Sequence, residues 1–95
     1  MTSVISLREG ILHIAVAKDE DINALKERIY NTYLGEEVKK VVFDFSNLKF
    51  LGTPYLALLI GVYKKSEGKV KIVVKGVDKE LFSLTRLDKI FEVEN

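Results

Sequence analysis

Val41-Val42-Phe43-Asp44-Phe45-Ser46-Asn47-Leu48-Lys49-Phe50-Leu51-Gly52-Thr53-Pro54 carries the chain from a strand through a loop into a helix. Val41 to Phe45 is short, β-branched or aromatic, and apolar on both parities, the pattern of a central strand covered on both faces. Asp44 interrupts it near the C-terminal end. An unpaired buried carboxylate is costly, so Asp44 is expected to support the neighbouring loop by hydrogen bonding, with site chemistry as the alternative. Thr53-Pro54 then opens a helix. Threonine suits the N-cap, and proline suits the first helical position, where its missing N–H costs nothing. Tyr55 to Tyr63 is apolar almost all round, which predicts a largely buried helix. Lys64-Lys65 end it with cations suited to the negative end of the helix dipole.

On the N-terminal side, Val4 to Arg8 and Ile11 to Ala17 read as strands joined by a hairpin at Glu9-Gly10. Lys18-Asp19-Glu20-Asp21 breaks the apolar pattern with acids placed where a helix should begin. Ile22, Leu25, Ile29 and Tyr33 follow at helical spacing, with Gly35 as the expected stop. On the C-terminal side, Gly68 marks a turn and Val70 to Val74 reads as a strand whose lysine side, including Val73, is partly exposed. After Gly76, Asp78 is placed to cap a third helix, with Val77 stapled to Phe82. Ile90 to Val93 reads either as a short last strand or as a frayed tail. The expected fold class is therefore α/β: a single domain over residues 1–95, in the order β-β-α-β-α-β-α with room for a terminal strand. Helices between strands imply parallel crossovers, so the sheet is mixed and mostly parallel, with helices packed against it. The functional end of such a sheet lies where strands finish and helices start. That end gathers Lys18 to Asp21, Ser46 to Pro54, and Lys75 to Asp78.

Composition narrows the chemistry. Ninety-five residues are enough for one small core. With 47% hydrophobic and 31% charged residues, the balance is globular. A formal net charge of +1 argues against a dedicated nucleic-acid binder. The absence of cysteine removes disulfides, thiolate metal sites and cysteine nucleophiles, and a single histidine, His13, cannot form a metal cluster. No cofactor and no metal site is expected. The N-terminus lacks the pattern of a signal peptide. The apolar run from Tyr55 to Tyr63 is about half of the roughly 20 residues a membrane span requires, so no direct membrane insertion is expected and a cytoplasmic location is. Abundant lysine and glutamate, with no glutamine and one methionine, resemble the bias of heat-adapted, thermophilic proteins.

Several side chains offer chemistry, each with a plainer structural reading. Thr53 stands at a helix N-terminus, which favours an anion and makes its hydroxyl a candidate phosphoacceptor; helix capping is the plainer role. Asp19, Glu20 and Asp21 could meet a basic partner or a divalent cation, although no calcium-loop spacing follows; capping and solvating the helix is the plainer role. The lysines Lys39-Lys40, Lys64-Lys65 and Lys69 should cluster at the other end of the sheet among acids, as a solvated face. His13 sits mid-strand, where no nearby acid or nucleophile is expected. Gly61 to Gly68-Lys69 fails as a phosphate loop, since its spacing is wrong and it begins inside a helix.

The stretch from Val41 to Leu51, together with Lys71 to Val77 and Leu81-Phe82 through Ile90-Phe91, resembles the STAS domain, shared by sulfate transporters and bacterial anti-sigma factor antagonists. In that family the strand and loop lead into Asp-Ser-Ser/Thr-Gly at the start of a helix. The resemblance implies a partner-binding edge around the second helix. In the antagonist branch the partner is a kinase-like anti-sigma factor, which phosphorylates the second hydroxyl residue of the motif and so releases the antagonist. Here Gly52 stands in place of Asp, Thr53 of the first Ser, Pro54 of the usual acceptor and Tyr55 of Gly. Proline cannot be phosphorylated, which leaves Thr53 as a displaced acceptor.

The resemblance thus implies a non-enzymatic anti-sigma factor antagonist acting in transcription regulation, with an atypical or absent serine switch. Its expected partner-binding residues are Asp19, Glu20, Asp21, Ser46, Gly52, Thr53, Pro54 and Tyr55, supported by Asp44. A STAS-type regulatory subunit of a membrane transport ATPase, and a small-molecule or anion-binding domain, are the alternatives. Catalysis is the weakest reading, because it needs a nucleophile and a base converging at one site.

Overall fold

The computed structural model describes residues 3–18, 20–33, 37–48 and 52–94, apart from the side chains of residues 32, 33 and 81. The hairpin comes first: β1 (Val4–Arg8) and β2 (Ile11–Ala15) pair antiparallel across Glu9-Gly10. Both turn residues have positive φ, 52° and 80°. This is the primed turn whose twist matches that of the two strands. The chain then passes through α1 (Ile22–Arg28) and a π-helical turn (Ile29–Tyr33) into β3 (Lys40–Asp44). α2 (Thr53–Lys65) leads to β4 (Lys71–Lys75), and a short α3 (Lys79–Ser83) with a 3₁₀ turn (Leu87–Lys89) leads to β5 (Glu92–Glu94). The terminal segment is thus a strand. Gly35, the expected stop of the first helix, lies outside the described residues.

Among the described residues the strands form one sheet in sequential order, β1-β2-β3-β4-β5, with every pair after the hairpin parallel. That order explains the layering. Crossovers of one hand that all step in the same direction place their helices on one face. Leu12, Ile14, Val41, Phe43, Ile72 and Val74 point to that face and form a single core with Leu25 and Ile29 of the first helical segment, Leu58, Leu59 and Val62 of α2, and Phe82 of α3. Val77 joins the same core as Phe82, and Asp78 Oδ1 accepts from Glu80 N at 2.9 Å, so the start of α3 is built as its sequence suggests.

Two expectations are corrected by this layering. β3 is not covered by helices on both faces: among the described residues the second face carries His13, Ala15, Val42, Asp44, Lys71 and Lys75 and meets no helix. α2, expected to be largely buried, is covered along one face only: Leu58, Leu59 and Val62 are buried, whereas Ala57 and Tyr63 are exposed. On the open face of the sheet Lys71 is exposed and Lys75 half-buried, as the lysine side of β4 suggests, while Val73 between them is fully buried. It sits in register between Val42 and Glu92, and the Lys71–Glu92 ion pair at 3.2 Å lies alongside it. The aliphatic stems of long charged side chains can cover apolar surface in this way.

Candidate functional site

The C-terminal ends of β2, β3 and β4 are fastened together beyond the strands themselves. Val16 N donates to Asp44 O at 3.0 Å, and Phe45 N donates to Lys75 O at 2.9 Å. The loop after β3 turns at Ser46, whose backbone N donates to Asp44 Oδ1 at 2.9 Å. Hydrogen bonds from the Ser46 hydroxyl and backbone hold the Asp44 carboxyl below the usual carboxylate range; partial burial opposes them, and the charges of His13 and Lys75 add to them. Asp44 therefore orders the loop as an ionised acceptor. Parallel pairing of β2 with β3 sets Ala15 beside Asp44, which leaves His13 one same-face step away on the diagonal. The expectation that His13 has no nearby acid is corrected accordingly.

Ser46 is held from behind by Gly76. A Cβ on Gly76 would lie 2.7 Å from Ser46 Cα and 2.9 Å from its Cβ, and Gly76 has φ +76°. Only glycine satisfies both the left-handed backbone and the close approach. The loops after β3 and β4 thus form one unit, which presents Ser46 and Asn47 to solvent.

α2 begins beside this unit, one residue earlier than its sequence suggests. Its N-cap is Gly52, with φ −85° and ψ 169°, and no side-chain hydrogen bond caps it. Gly52 O accepts from Tyr55 N at 3.1 Å and from Leu56 N at 3.4 Å, so Thr53 and Pro54 already belong to the first turn. The capping role expected of Thr53 is corrected: its backbone is helical, and the side chain is exposed. Pro54 remains compatible, because first-turn N–H groups have no intrahelical acceptor. Thr53, Pro54 and Ala57 are exposed along the outer face of α2, whereas Tyr55 turns inward and meets Phe45 edge-on at 5.9 Å between ring centroids. Ala57 carries no chemical signal in the sequence. Its place comes from the spacing of three and four residues from Pro54 and Thr53 on one helix.

The acidic segment is used internally. Asp21 Oδ1 accepts from Asn23 N at 2.8 Å and Ala24 N at 3.4 Å, capping α1. Glu20 Oε1 accepts from Arg28 Nη1 at 2.8 Å and from Ser3 N at 3.2 Å, while Arg28 Nη2 donates to Ser3 O at 3.3 Å. Ser3 Oγ in turn accepts from Ala17 N at 2.8 Å. These bonds strap the start of β1 to the loop after β2. Asp19 lies outside the described residues. Asp21 is exposed despite its capping bonds, whereas the Glu20 side chain is 11% exposed and committed to its partners. No alternation or motif marks Ser3 and Arg28, because the strap joins residues 25 positions apart in the chain.

Among the described residues no group of three or more His, Asp or Glu side chains is placed to hold a metal ion, and no helix is long and apolar enough to cross a membrane. At the opposite end, Lys69 pairs with Glu67 at 3.6 Å, and Lys71 pairs with Glu92.

Comparison with known proteins places this arrangement. The family model of the STAS domain matches residues 18–95. An anti-sigma factor antagonist from Mycobacterium paratuberculosis is similar in structure, with 26% sequence identity and a TM-score of 0.70, covering 97% of this chain and 83% of that one. A variant of RsbS from Moorella thermoacetica gives 18% identity and a TM-score of 0.78, covering 99% of this chain and 86% of that one. The anti-sigma factor antagonist SpoIIAA in its unphosphorylated form gives 9% identity and a TM-score of 0.76, covering 98% and 87% respectively. No curated protein sequence matches the chain significantly.

Proposed function

Because the chain belongs to the STAS domain family, we propose that it acts as an anti-sigma factor antagonist, a protein-binding module that captures a kinase-like anti-sigma factor and so governs sigma-factor-dependent transcription. The observation that carries this reading is the exposed strip of Thr53, Pro54 and Ala57 on α2, whose first turn meets Phe45 through Tyr55, next to the exposed Ser46 that Asp44 and Gly76 hold in place. It is small-featured and pre-ordered, so a partner can dock with little loss of conformational entropy. The likeness to the mycobacterial antagonist supports the choice of partner class. Asp21 and Ser46 would lie at the rim of the contact, and Tyr55 would support it from beneath.

The regulatory step differs from the family pattern at Pro54, which has no hydroxyl. Thr53 is the remaining acceptor in this segment. A phosphate there would add roughly −1.5 to −2 charges beside the helix N-terminus and so change the docking strip directly. We read the module as a binder without catalysis. His13 is on the open face of the sheet, whereas α2, which carries Thr53, packs on the other, so these two do not form a nucleophile–base pair.

The test is binding of the purified chain to the anti-sigma factors of its own host by calorimetry, followed by incubation with the bound kinase and ATP and measurement of intact mass. Binding that is lost in Ala57→Arg supports the strip. Absence of binding to every anti-sigma factor, or binding unaffected by Ala57→Arg, overturns it. Phosphate transfer that survives Thr53→Ala removes Thr53 as the acceptor.

A further inference from the structure

The two edges of the sheet are built differently. β5 is three residues long, and Glu92 and Glu94 are both exposed. A second copy added antiparallel to that edge would bring glutamates opposite one another, a repulsive arrangement of the kind that protects sheet edges. β1 has no such protection. It is five residues long and contains neither proline nor lysine, and it exposes Val4 at 67% and Leu7 at 41%. Among the described residues no strand pairs with its outer side.

The hairpin decides which backbone groups that outer side presents. In a two-residue primed turn the closing pair, here Arg8 and Ile11, exchanges both hydrogen bonds, and bonded pairs then alternate along the ladder. Arg8, Ser6 and Val4 therefore turn their N–H and C=O groups toward β2. Leu7, Ile5 and Ser3 turn theirs outward. Those of Ser3 are already used, its N–H by Glu20 and its C=O by Arg28. Glu9, at φ +52°, belongs to the turn. The open edge is thus the backbone of Ile5 and Leu7.

We propose that β1 is a self-association edge, which pairs antiparallel with β1 of a second copy about a two-fold axis through Ser6. In this register Ile5 of each copy lies opposite Leu7 of the other, and all four outward N–H and C=O groups on each strand are satisfied. Shifting by one pairing step would demand either the occupied backbone of Ser3 or the turn residue Glu9. The side chains agree with the same register. Leu7 covers Ile5 of the second copy on the helix-bearing side, and the aliphatic stem of Arg8 lies along the exposed Val4 on the open side. The one charged residue in the strand thereby faces an apolar partner, and no like charges meet. The contact is isologous and closed, giving a dimer with a continuous sheet rather than a fibre. It is small, so the dimer forms at high protein concentration, and it leaves the exposed strip of α2 free.

Sedimentation of the purified chain over a concentration series reaching the millimolar range tests this directly, together with two variants. Leu7→Lys places a charge against Ile5 and is expected to weaken the dimer about tenfold or more, with an unchanged circular dichroism spectrum. The chain has no cysteine, and Ser6 would meet Ser6 as a non-hydrogen-bonded pair with Cα atoms about 4.5 Å apart. Ser6→Cys should therefore cross-link on mild oxidation. Arg8→Cys, also at an exposed position of the same strand, should not, because its counterpart lies four positions away. A chain that stays monomeric at millimolar concentration overturns the proposal, as does a dimer indifferent to Leu7→Lys. Equal cross-linking of the two cysteine variants overturns it too, and so does uptake of a strand from another protein in place of self-association.

Discussion

The hydroxyl of Tyr30, on the π-helical turn that follows α1, occupies the space that a Cβ on Gly61 of α2 would fill. The Tyr30 ring also lies 5.8 Å from Lys65 Nζ, and its phenol is pushed above the ordinary tyrosine range by burial. Gly61 therefore sets how closely the two helical segments approach, and the tyrosine reports on that approach.

Replacing Gly61 by alanine brings two opposed effects. Alanine favours the helix by about 1 kcal/mol, while overpacking costs about 1–3 kcal/mol. The nearest atom is the tip of a side chain that can swing aside, so a net loss of about 1 kcal/mol is expected. In a Tyr30→Phe background the next atom, Tyr30 Cζ, is at an ordinary 3.7 Å. There the same Gly61→Ala change should stabilise by about 1 kcal/mol. Urea unfolding of the four proteins measures this reversal; its absence would mean that the hydroxyl does not control the contact.

Tyr30 also predicts an alkaline response. Its folded pKa is raised, so above pH about 10 the unfolded chain loses the phenolic proton first, and stability falls as pH rises. Tyr30→Phe should flatten that fall without changing the acid limb, as read from thermal midpoints across pH.

Gly76→Ala should cost roughly 2–4 kcal/mol, because a left-handed backbone and an overlap with the Ser46 main chain act together. Gly76 can move away only by breaking Phe45 N to Lys75 O. The loss in thermal midpoint should be accompanied by weaker partner binding if the Ser46 loop is part of the docking strip.

Asp44 makes the acid-side prediction. Its folded pKa is lowered, so its contribution is complete above the unfolded carboxylate range and disappears as pH falls through the folded value. Asp44→Asn should destabilise by about 1 kcal/mol near neutrality. The gap to the parent should close as pH drops below the normal aspartate range. A gap that stays constant with pH would show that the carboxylate charge is not what orders Ser46.

The strap predicts local rather than global loosening. Arg28→Ala removes the partner of Glu20 and one donor to Ser3. Hydrogen exchange should accelerate at Ala17 and along β1 while β3 and β4 amides keep their protection.

Much of this molecule is legible in its sequence because hydrophobic spacing is a local property. The hairpin at Glu9-Gly10, the strand around Val42, the helical run of α2 and the caps at Asp21 and Asp78 each depend on residues a few positions apart. Composition likewise determined that no thiolate or histidine cluster could build a site. The start of α2 was legible only to within one residue, since Thr53 and Gly52 are both acceptable caps. What periodicity does not encode is which faces meet. Sequential strand order and a common crossover hand put every helix on one side, leaving Asp44 and His13 together on an open face. Register brought Gly76 against Ser46 and committed Glu20 to Arg28 and Ser3. Helix approach set Tyr30 over Gly61. These are contacts between distant segments, decided by the close packing of one core, and no single segment carries them alone.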